Sequence, residues 1–142
     1  MMKFAVMVLC SLLTLSFANA QKEKVLGIWH TPEKEAKMNF YLDDGKLYGK
    51  IIWASKSEAL DIENPDPALR DRKIVGLVLF QGFEWDSDDA EWENGKVYDP
   101  KSGKTYDCVV TIDENNEDQL NIRGYIMGMR WLGRSETFTR VK

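Results

Sequence analysis

Histidine and cysteine are scarce in this chain, and their scarcity excludes several kinds of site. One histidine, His30, occurs in 142 residues, which rules out zinc sites built from several histidines. A Ser–His–Asp triad would depend on that residue alone, and no serine lies in a Gly-x-Ser-x-Gly turn. Of the two cysteines, only Cys108 lies beyond residue 20. Its phase with the neighbouring apolar residues predicts a small core residue, and no intrachain disulfide is expected in the mature chain.

Long helical patterns are also missing. After residue 20, short alternating segments are separated by Gly, Asp, Asn and Pro, which predicts an all-β chain. Strands joined mainly by hairpins favour a single up-and-down antiparallel β-barrel, because closure removes exposed edges. The predicted strands are 25–30, 37–42, 46–54, 74–80, 96–99, 104–112, 119–126 and 130–141.

Residues 1–20 have the pattern of a secretory signal peptide. A short basic start at Lys3 precedes an apolar run over residues 4–17, and Ala18-Asn19-Ala20 is a small-x-small cleavage site. The run is too short for a transmembrane helix, which needs about 20 apolar residues. Cys10 lies inside the run, so a lipid anchor is not expected. We therefore predict a single mature domain, residues 21–142, that is periplasmic or secreted.

The charge of the chain limits its partners. The formal net charge is −4, and loss of Lys3 with the leader makes it one unit more negative. An acidic chain is repelled by nucleic acid and by anionic membranes, so neither is an expected partner.

Gly103-Lys104-Thr105 repeats the end of the phosphate-binding loop of many ATPases. That loop needs an earlier glycine, at a position that Tyr98 occupies here, and a helix after it. Residues 106–112 are instead β-branched and aromatic, which predicts a strand. The segment 99–103 is therefore interpreted as a hairpin turn, with Gly103 at the position that needs a positive φ.

One long connection interrupts the hairpins. Residues 55–72 are polar and contain two prolines, so they cannot form a central strand. Asp66 followed by Pro67 predicts the capped start of a helical turn. A connection this long serves either as a functional lid or as a plug for one barrel end, and the sequence leaves both open. The candidate loop residues are Asp61, Asn64, Asp66 and Arg70.

Metal sites have weak support. The acidic stretch 86–93 lacks the glycine of an EF-hand loop and is interpreted as a solvated, turn-rich surface. Oxygen ligands at Asp61, Asn64 and Asp66 leave another kind of cation site possible. No metal and no other cofactor is predicted.

Alternation along the strands predicts which residues face the barrel interior. Three sets share a face: Met38, Phe40 and Leu42; Leu47, Gly49, Ile51 and Trp53; and Leu120, Ile122, Gly124 and Ile126. The glycines fit either a bend of the barrel or room for a ligand. On the last strand, Arg134 and Glu136 share the phase of Leu132 and Phe138. They are therefore predicted to point inward unless a bulge near Gly133 shifts the phase.

Several motifs resemble known families. Trp29 on the first strand and Arg140 near the C-terminus resemble the pair that closes the barrel in the lipocalin and fatty-acid-binding superfamily. A wider set resembles the bacterial domain-of-unknown-function family 2147: Tyr48-Gly49-Lys50, Asp61, residues 64–70, Trp92, residues 95–100, residues 103–106, Gly124-Tyr125 and Gly133-Arg134. The resemblance implies a small envelope or secreted protein with a lipocalin-like barrel. The family has no settled activity to transfer.

These observations favour a binding module for a small apolar or amphipathic molecule, without catalysis. Arg134 would receive an anionic head while the tail lies against apolar residues. The candidate ligand-binding residues are Phe40, Ile51, Trp53, Tyr98, Asp99, Arg134 and Glu136. Two alternatives are a filled barrel that binds another envelope protein and an enzyme with its site in the barrel mouth. A cavity of several hundred Å³ would favour the small ligand.

Processing gives the first testable prediction. Because Ala18-Asn19-Ala20 precedes Gln21, the protein recovered from its native envelope should begin at Gln21 and lack Cys10. N-terminal sequencing or intact-mass measurement checks this. A soluble product that retains Met1 would contradict the predicted compartment.

Overall fold

The structure, a computed structural model, describes residues 20–142, so the predicted leader up to Asn19, including Cys10, lies outside the described residues. No helix within residues 20–142 has the length and apolar character needed to cross a membrane.

Eight antiparallel strands form a closed barrel in which each strand pairs with its sequence neighbours and the first pairs with the last. This confirms the predicted all-β, up-and-down architecture. The strands are β1 Gly27–His30, β2 Ala36–Asp43, β3 Lys46–Ala54, β4 Val78–Asp86, β5 Glu91–Asp99, β6 Lys104–Ile112, β7 Gln119–Ile126 and β8 Met129–Arg140.

Two strand predictions were wrong in their bounds. The fourth strand begins at Val78 and reaches Asp86, and the fifth begins at Glu91, so most of the acidic stretch belongs to a β-hairpin. A φ of 73° at Gly82 allows Phe80 and Phe83 both to point inward, which breaks the strict alternation that sequence reasoning uses. Residues 93–95 contain an Asn-Gly pair, which is typical of turns, but they form a bulge inside β5.

The turn predicted at residues 99–103 is confirmed. The loop between β5 and β6 contains Gly103 at a φ of 72°, and the Gly103 amide donates to the Asp99 carbonyl at 2.8 Å. A Cβ at Gly103 would lie 1.9 Å from the Glu63 carbonyl oxygen, so the turn also packs closely against the long β3–β4 loop. The Gly103-Lys104-Thr105 motif is therefore structural. Glycine is needed at position 103 both for the positive φ and for the close approach of the Glu63 backbone.

The two ends of the barrel differ in packing. At the end where β1 begins, buried aromatic and aliphatic side chains fill the interior, including Trp29, Phe40, Leu47, Phe83 and Trp92. The Trp29 indole N–H donates to the Val25 carbonyl at 2.9 Å, and that of Trp92 to the Lys22 carbonyl at 3.3 Å. The N-terminal segment thus covers this closed end. Cys108 is fully buried there, and burial raises the pKa of its thiol to about 12.

Arg140 joins the first and last strands, as the resemblance implied. Its guanidinium carbon lies 4.2 Å from the Trp29 ring centroid, and the two residues are register partners. The guanidinium also donates to the carbonyls of Lys24 at 2.7 Å, Leu26 at 3.3 Å and Glu117 at 3.1 Å. One side chain therefore ties the N-terminal segment, β1 and the β6–β7 loop together.

Replacing this arginine should destabilise the barrel. Arg140→Ala removes the cation–π contact and several charge-assisted hydrogen bonds, an expected loss of about 2–4 kcal/mol in the free energy of unfolding. Arg140→Lys keeps the charge but not the planar fork, so its stability should lie between the two. Urea unfolding followed by circular dichroism checks the order. Equal stability of wild type and Arg140→Ala would mean that this contact does not hold the barrel closed.

Candidate functional site

A cavity of about 810 Å³ occupies the open end of the barrel, opposite the aromatic core. Its floor includes Phe80, Ile122 and Phe138, all of which are buried. Its mouth is bounded by residues 31–35, the start of the β3–β4 loop, and the β5–β6 turn. The barrel is therefore hollow at one end and filled at the other.

Small residues keep this end hollow. A Cβ at Gly124 would meet only ordinary van der Waals contacts, at 3.8 Å from Tyr106 Cβ and 3.9 Å from the Asp107 carbonyl oxygen. In the closed half, by contrast, a Cβ at Gly49 would lie 2.9 Å from the Phe40 ring, and at Gly95 2.3 Å from the Phe83 ring. The two glycines therefore have different roles. Gly49 allows neighbouring aromatic rings to pack against the backbone, and Gly124 leaves space in the cavity.

The walls of the cavity differ in polarity. Strands β2, β3 and β4 contribute apolar side chains, namely Met38, Ile51, Ala54, Leu79 and Phe80. Strands β6 and β8 contribute Tyr106, Arg134 and Glu136, with Gly124 of β7 between them. Such a cavity has one face for apolar groups and one for polar or charged groups.

Arg134 and Glu136 point into the cavity, as their shared phase with Phe138 predicted. Arg134 pairs across the sheet with Gly124, and Glu136 with Ile122, both of which also line the cavity. Both charged residues are exposed, because the cavity is open at this end. Within residues 20–142, neither takes part in an ion pair or a side-chain hydrogen bond. The predicted inward orientation of Leu132 was wrong: this residue is 56% exposed and does not line the cavity.

Five of the seven candidate ligand-binding residues line the cavity: Ile51, Tyr98, Asp99, Arg134 and Glu136. The Asp99 carboxylate also serves its own turn, since it accepts from the Lys101 amide at 3.0 Å and the Ser102 hydroxyl at 2.8 Å. Asp99 is therefore partly committed to holding the β5–β6 turn.

Phe40 and Trp53 lie outside the cavity. Phe40 points inward but packs in the closed half, with its ring centroid 5.0 Å from that of Phe80. Trp53 was predicted to face inward and does not: it is 43% exposed, and the Lys37 ammonium lies 5.3 Å from its ring centroid. The reason is a bulge opposite Lys37 and Met38, which reverses the phase of β3 after Ile51.

Asp61 is the centre of the long loop and is fully buried. One carboxylate oxygen accepts from the Tyr98 hydroxyl at 2.6 Å. The other accepts from the Asn64 amide at 2.8 Å and from Arg72 at 2.9 Å. Through Tyr98, Asp61 links the long loop to β5.

The ionisation of this network follows from its contacts. Burial by itself raises the pKa of the Asp61 carboxyl, but the hydrogen bonds from Tyr98, Asn64 and Arg72, with the charge of Arg72, outweigh it. The pKa of Asp61 is therefore lowered and the group is a carboxylate at neutral pH. Burial, followed by the hydrogen bond to this carboxylate, raises the pKa of Tyr98 to about 12.

The other loop candidates are arranged around Asp61. The Asn64 side-chain oxygen accepts from the Asp66 amide at 2.9 Å, and Arg70 donates to the Asn64 carbonyl at 2.8 Å. Asp66 caps a short 3-10 helix, Pro67–Leu69, by accepting from the Ala68 amide at 3.0 Å. The predicted helical turn and its cap are therefore confirmed.

Sequence reasoning missed several cavity residues. Glu33, Glu35, Lys56 and Lys101 surround the mouth, and Tyr106 lies on the polar wall. The mouth residues come from loops, for which alternation gives no direction. Tyr106 shares the phase of Cys108 and Val110, which was the available signal for its inward position.

An acidic group lies on the β4–β5 hairpin. Carboxylate oxygens of Asp86, Asp89 and Glu91 lie within 4.8 Å of one another. Arg130, from the β7–β8 hairpin, donates to Glu91 at 2.7 Å and to Glu93 at 3.1 Å. This cation on the outer wall offsets part of the acidic charge.

Two comparisons found similarity to known proteins. A family model described as an uncharacterized protein conserved in bacteria, domain of unknown function 2147, matches residues 27–140. The chain is also similar to the solved structure of protein HP1028 from the human pathogen Helicobacter pylori, which belongs to the lipocalin family. The TM-score is 0.72 at 27% identity over 83% of each chain. Comparison with curated proteins gave no match.

The Asp61 network predicts acid-sensitive protection of the loop. Because the folded-state pKa of Asp61 is lowered, its contribution is fully present above about pH 4, the pKa of aspartate in unfolded chains. That contribution is lost as pH falls through the lower folded-state value. Amide hydrogen exchange of residues 59–73, corrected for intrinsic rates, should therefore accelerate on acidification.

Two variants isolate the group responsible. Asp61→Asn should exchange fast in the loop at every pH, whereas Glu63→Gln, an exposed neighbour, should behave like wild type. Identical acid dependence in wild type and Asp61→Asn would assign the effect to another carboxylate.

Proposed function

The chain belongs to the bacterial domain-of-unknown-function family 2147, and from this premise we propose that it is a binding module that holds a small apolar or amphipathic molecule in its lipocalin-like barrel. The cavity of about 810 Å³ is the observation that carries the proposal. Ligand sites usually have volumes of about 300–1,000 Å³ and combine an apolar lining with a few polar groups. The cavity described above has both properties.

The cavity favours a small ligand over the filled barrel that the sequence left open. A filled barrel would place side chains where Gly124 leaves space. The similarity to a lipocalin-family protein supports a small-molecule role in the coarse sense that the two chains share a barrel. We also propose a periplasmic or secreted location, on the strength of the signal-peptide pattern in residues 1–20.

An enzymatic site in the barrel mouth has less support. The cavity lining contains acidic, basic and tyrosine side chains but no histidine, cysteine or activated serine within the described residues. His30, the one histidine, lies on β1 and pairs with Lys37 and Thr139 rather than lining the cavity. Binding without turnover is the simpler function for this set of groups.

Filling the cavity should weaken binding. Gly124→Leu places a side chain in the open space without a backbone clash, because the nearest atoms to a Cβ there are 3.8 Å away. Wild type should bind dansyl-labelled undecanoic acid with a blue shift in emission, and Gly124→Leu should weaken binding at least about tenfold. Lys50→Leu adds the same side chain on the outer wall and should leave binding unchanged.

Folding of each variant is checked by circular dichroism before the titration. Absence of binding by wild type, or equal affinity in folded wild type and Gly124→Leu, would contradict a ligand site in this cavity.

A further inference from the structure

The order of charges along β8 carries information about the ligand. β8 runs from the open end towards the closed end, so Arg134 lies nearest the mouth, Glu136 deeper, and Phe138 at the floor. A strand rises about 3.4 Å per residue, so each of these side chains lies about 7 Å from the next. The sequence of environments from floor to mouth is therefore apolar, anionic, cationic.

Both charges are available to a ligand. Among the described residues, Arg134 and Glu136 make no ion pair with each other or with a neighbour. Gly124 and Ile122, which lie opposite them on β7, leave both charged groups accessible from the cavity. The mouth carries charges of both signs: Glu33 and Glu35 are negative, and Lys56 and Lys101 are positive. The lining therefore does not favour a purely anionic ligand, such as a fatty acid, over other amphiphiles.

From this order we propose that the site selects a zwitterionic amphiphile whose cationic group lies between its apolar tail and its anionic group. This proposal rests on the proposed function and names the class of ligand. The tail lies on the apolar floor and against Met38 and Ile51. The ligand cation then meets the Glu136 carboxylate, and the ligand anion meets the Arg134 guanidinium, whose fork matches an oxyanion.

The reverse order fits poorly. An amphiphile with its anion next to the tail and its cation outermost, as in a phosphocholine head, would bring its anion to Glu136 and its cation to Arg134. Repulsion between like charges at both positions opposes binding of this amphiphile, although it has the same net charge and the same tail as the favoured one. The charge order therefore separates two ligands that hydrophobicity alone cannot.

Two dodecyl amphiphiles test this directly: the sulfobetaine dodecyl-dimethyl-ammonio-propanesulfonate, with the cation next to the tail, and dodecylphosphocholine, with the anion next to the tail. Both are net neutral and carry a quaternary ammonium. Isothermal titration below their micelle-forming concentrations should show that wild type binds the sulfobetaine about fivefold more tightly, the factor expected for exposed charge pairs.

A charge swap provides the matched variant. Arg134→Glu combined with Glu136→Arg keeps composition and net charge but reverses the order, so it should prefer dodecylphosphocholine. If the swapped chain does not fold, the single variants Arg134→Gln and Glu136→Gln should each reduce the preference of wild type. Lys50→Gln and Glu84→Gln, which remove the same charges on the outer wall, should keep it.

The outcomes separate this proposal from the proposed function. Equal binding of both probes by wild type, or a preference that the β8 substitutions do not change, would overturn the charge-order proposal and leave ligand binding intact. If wild type binds none of the three compounds, the two zwitterionic probes and the neutral dodecyl maltoside, both the charge-order proposal and the proposed binding function would be overturned.

Discussion

Closure between β1 and β8 is the constraint on which the cavity depends. β1 has four residues and pairs with β8 at two register positions, Trp29 with Arg140 and His30 with Thr139. So short a ladder leaves little backbone hydrogen bonding to hold the barrel shut. The Arg140 guanidinium adds side-chain contacts across this junction. It lies over the Trp29 ring and donates hydrogen bonds to carbonyls of the N-terminal segment and the β6–β7 loop. Without this closure, β8 would not bring Arg134 and Glu136 to face the apolar strands.

The contrast between the two ends explains how a small barrel can be both stable and hollow. Aromatic rings at the closed end bury large apolar areas, and glycines at 49 and 95 let those rings approach the backbone. The open end gives up comparable burial, because Gly124, Ala36 and Ala54 contribute little volume. Stability is thus concentrated at one end, which frees the other for binding.

Polar contacts, rather than apolar burial, shape the mouth. Asp61 links the long loop to Tyr98 of β5, and the backbone of Glu63 packs against Gly103 of the neighbouring turn. The loop therefore lies beside the mouth, linked to β5 and to the β5–β6 turn. Its candidate residues were recognised from their residue types and from the family resemblance. Their partner Arg72 was not, because nothing in a polar loop indicates which charges will meet.

The sequence by itself determined the strand-rich architecture, most strand positions, the hairpin at residues 99–103, the capped turn at Asp66 and the inward phase of Arg134 and Glu136. These follow from local chemistry: residue propensity, turn residues and two-residue alternation. Only the tertiary structure decided that Trp53 turns outward, that Phe83 joins Phe80 inside, and that a cavity lies above Phe138. Bulges change the phase wherever strand curvature requires it, and the volume left inside a barrel depends on side chains from all its strands at once.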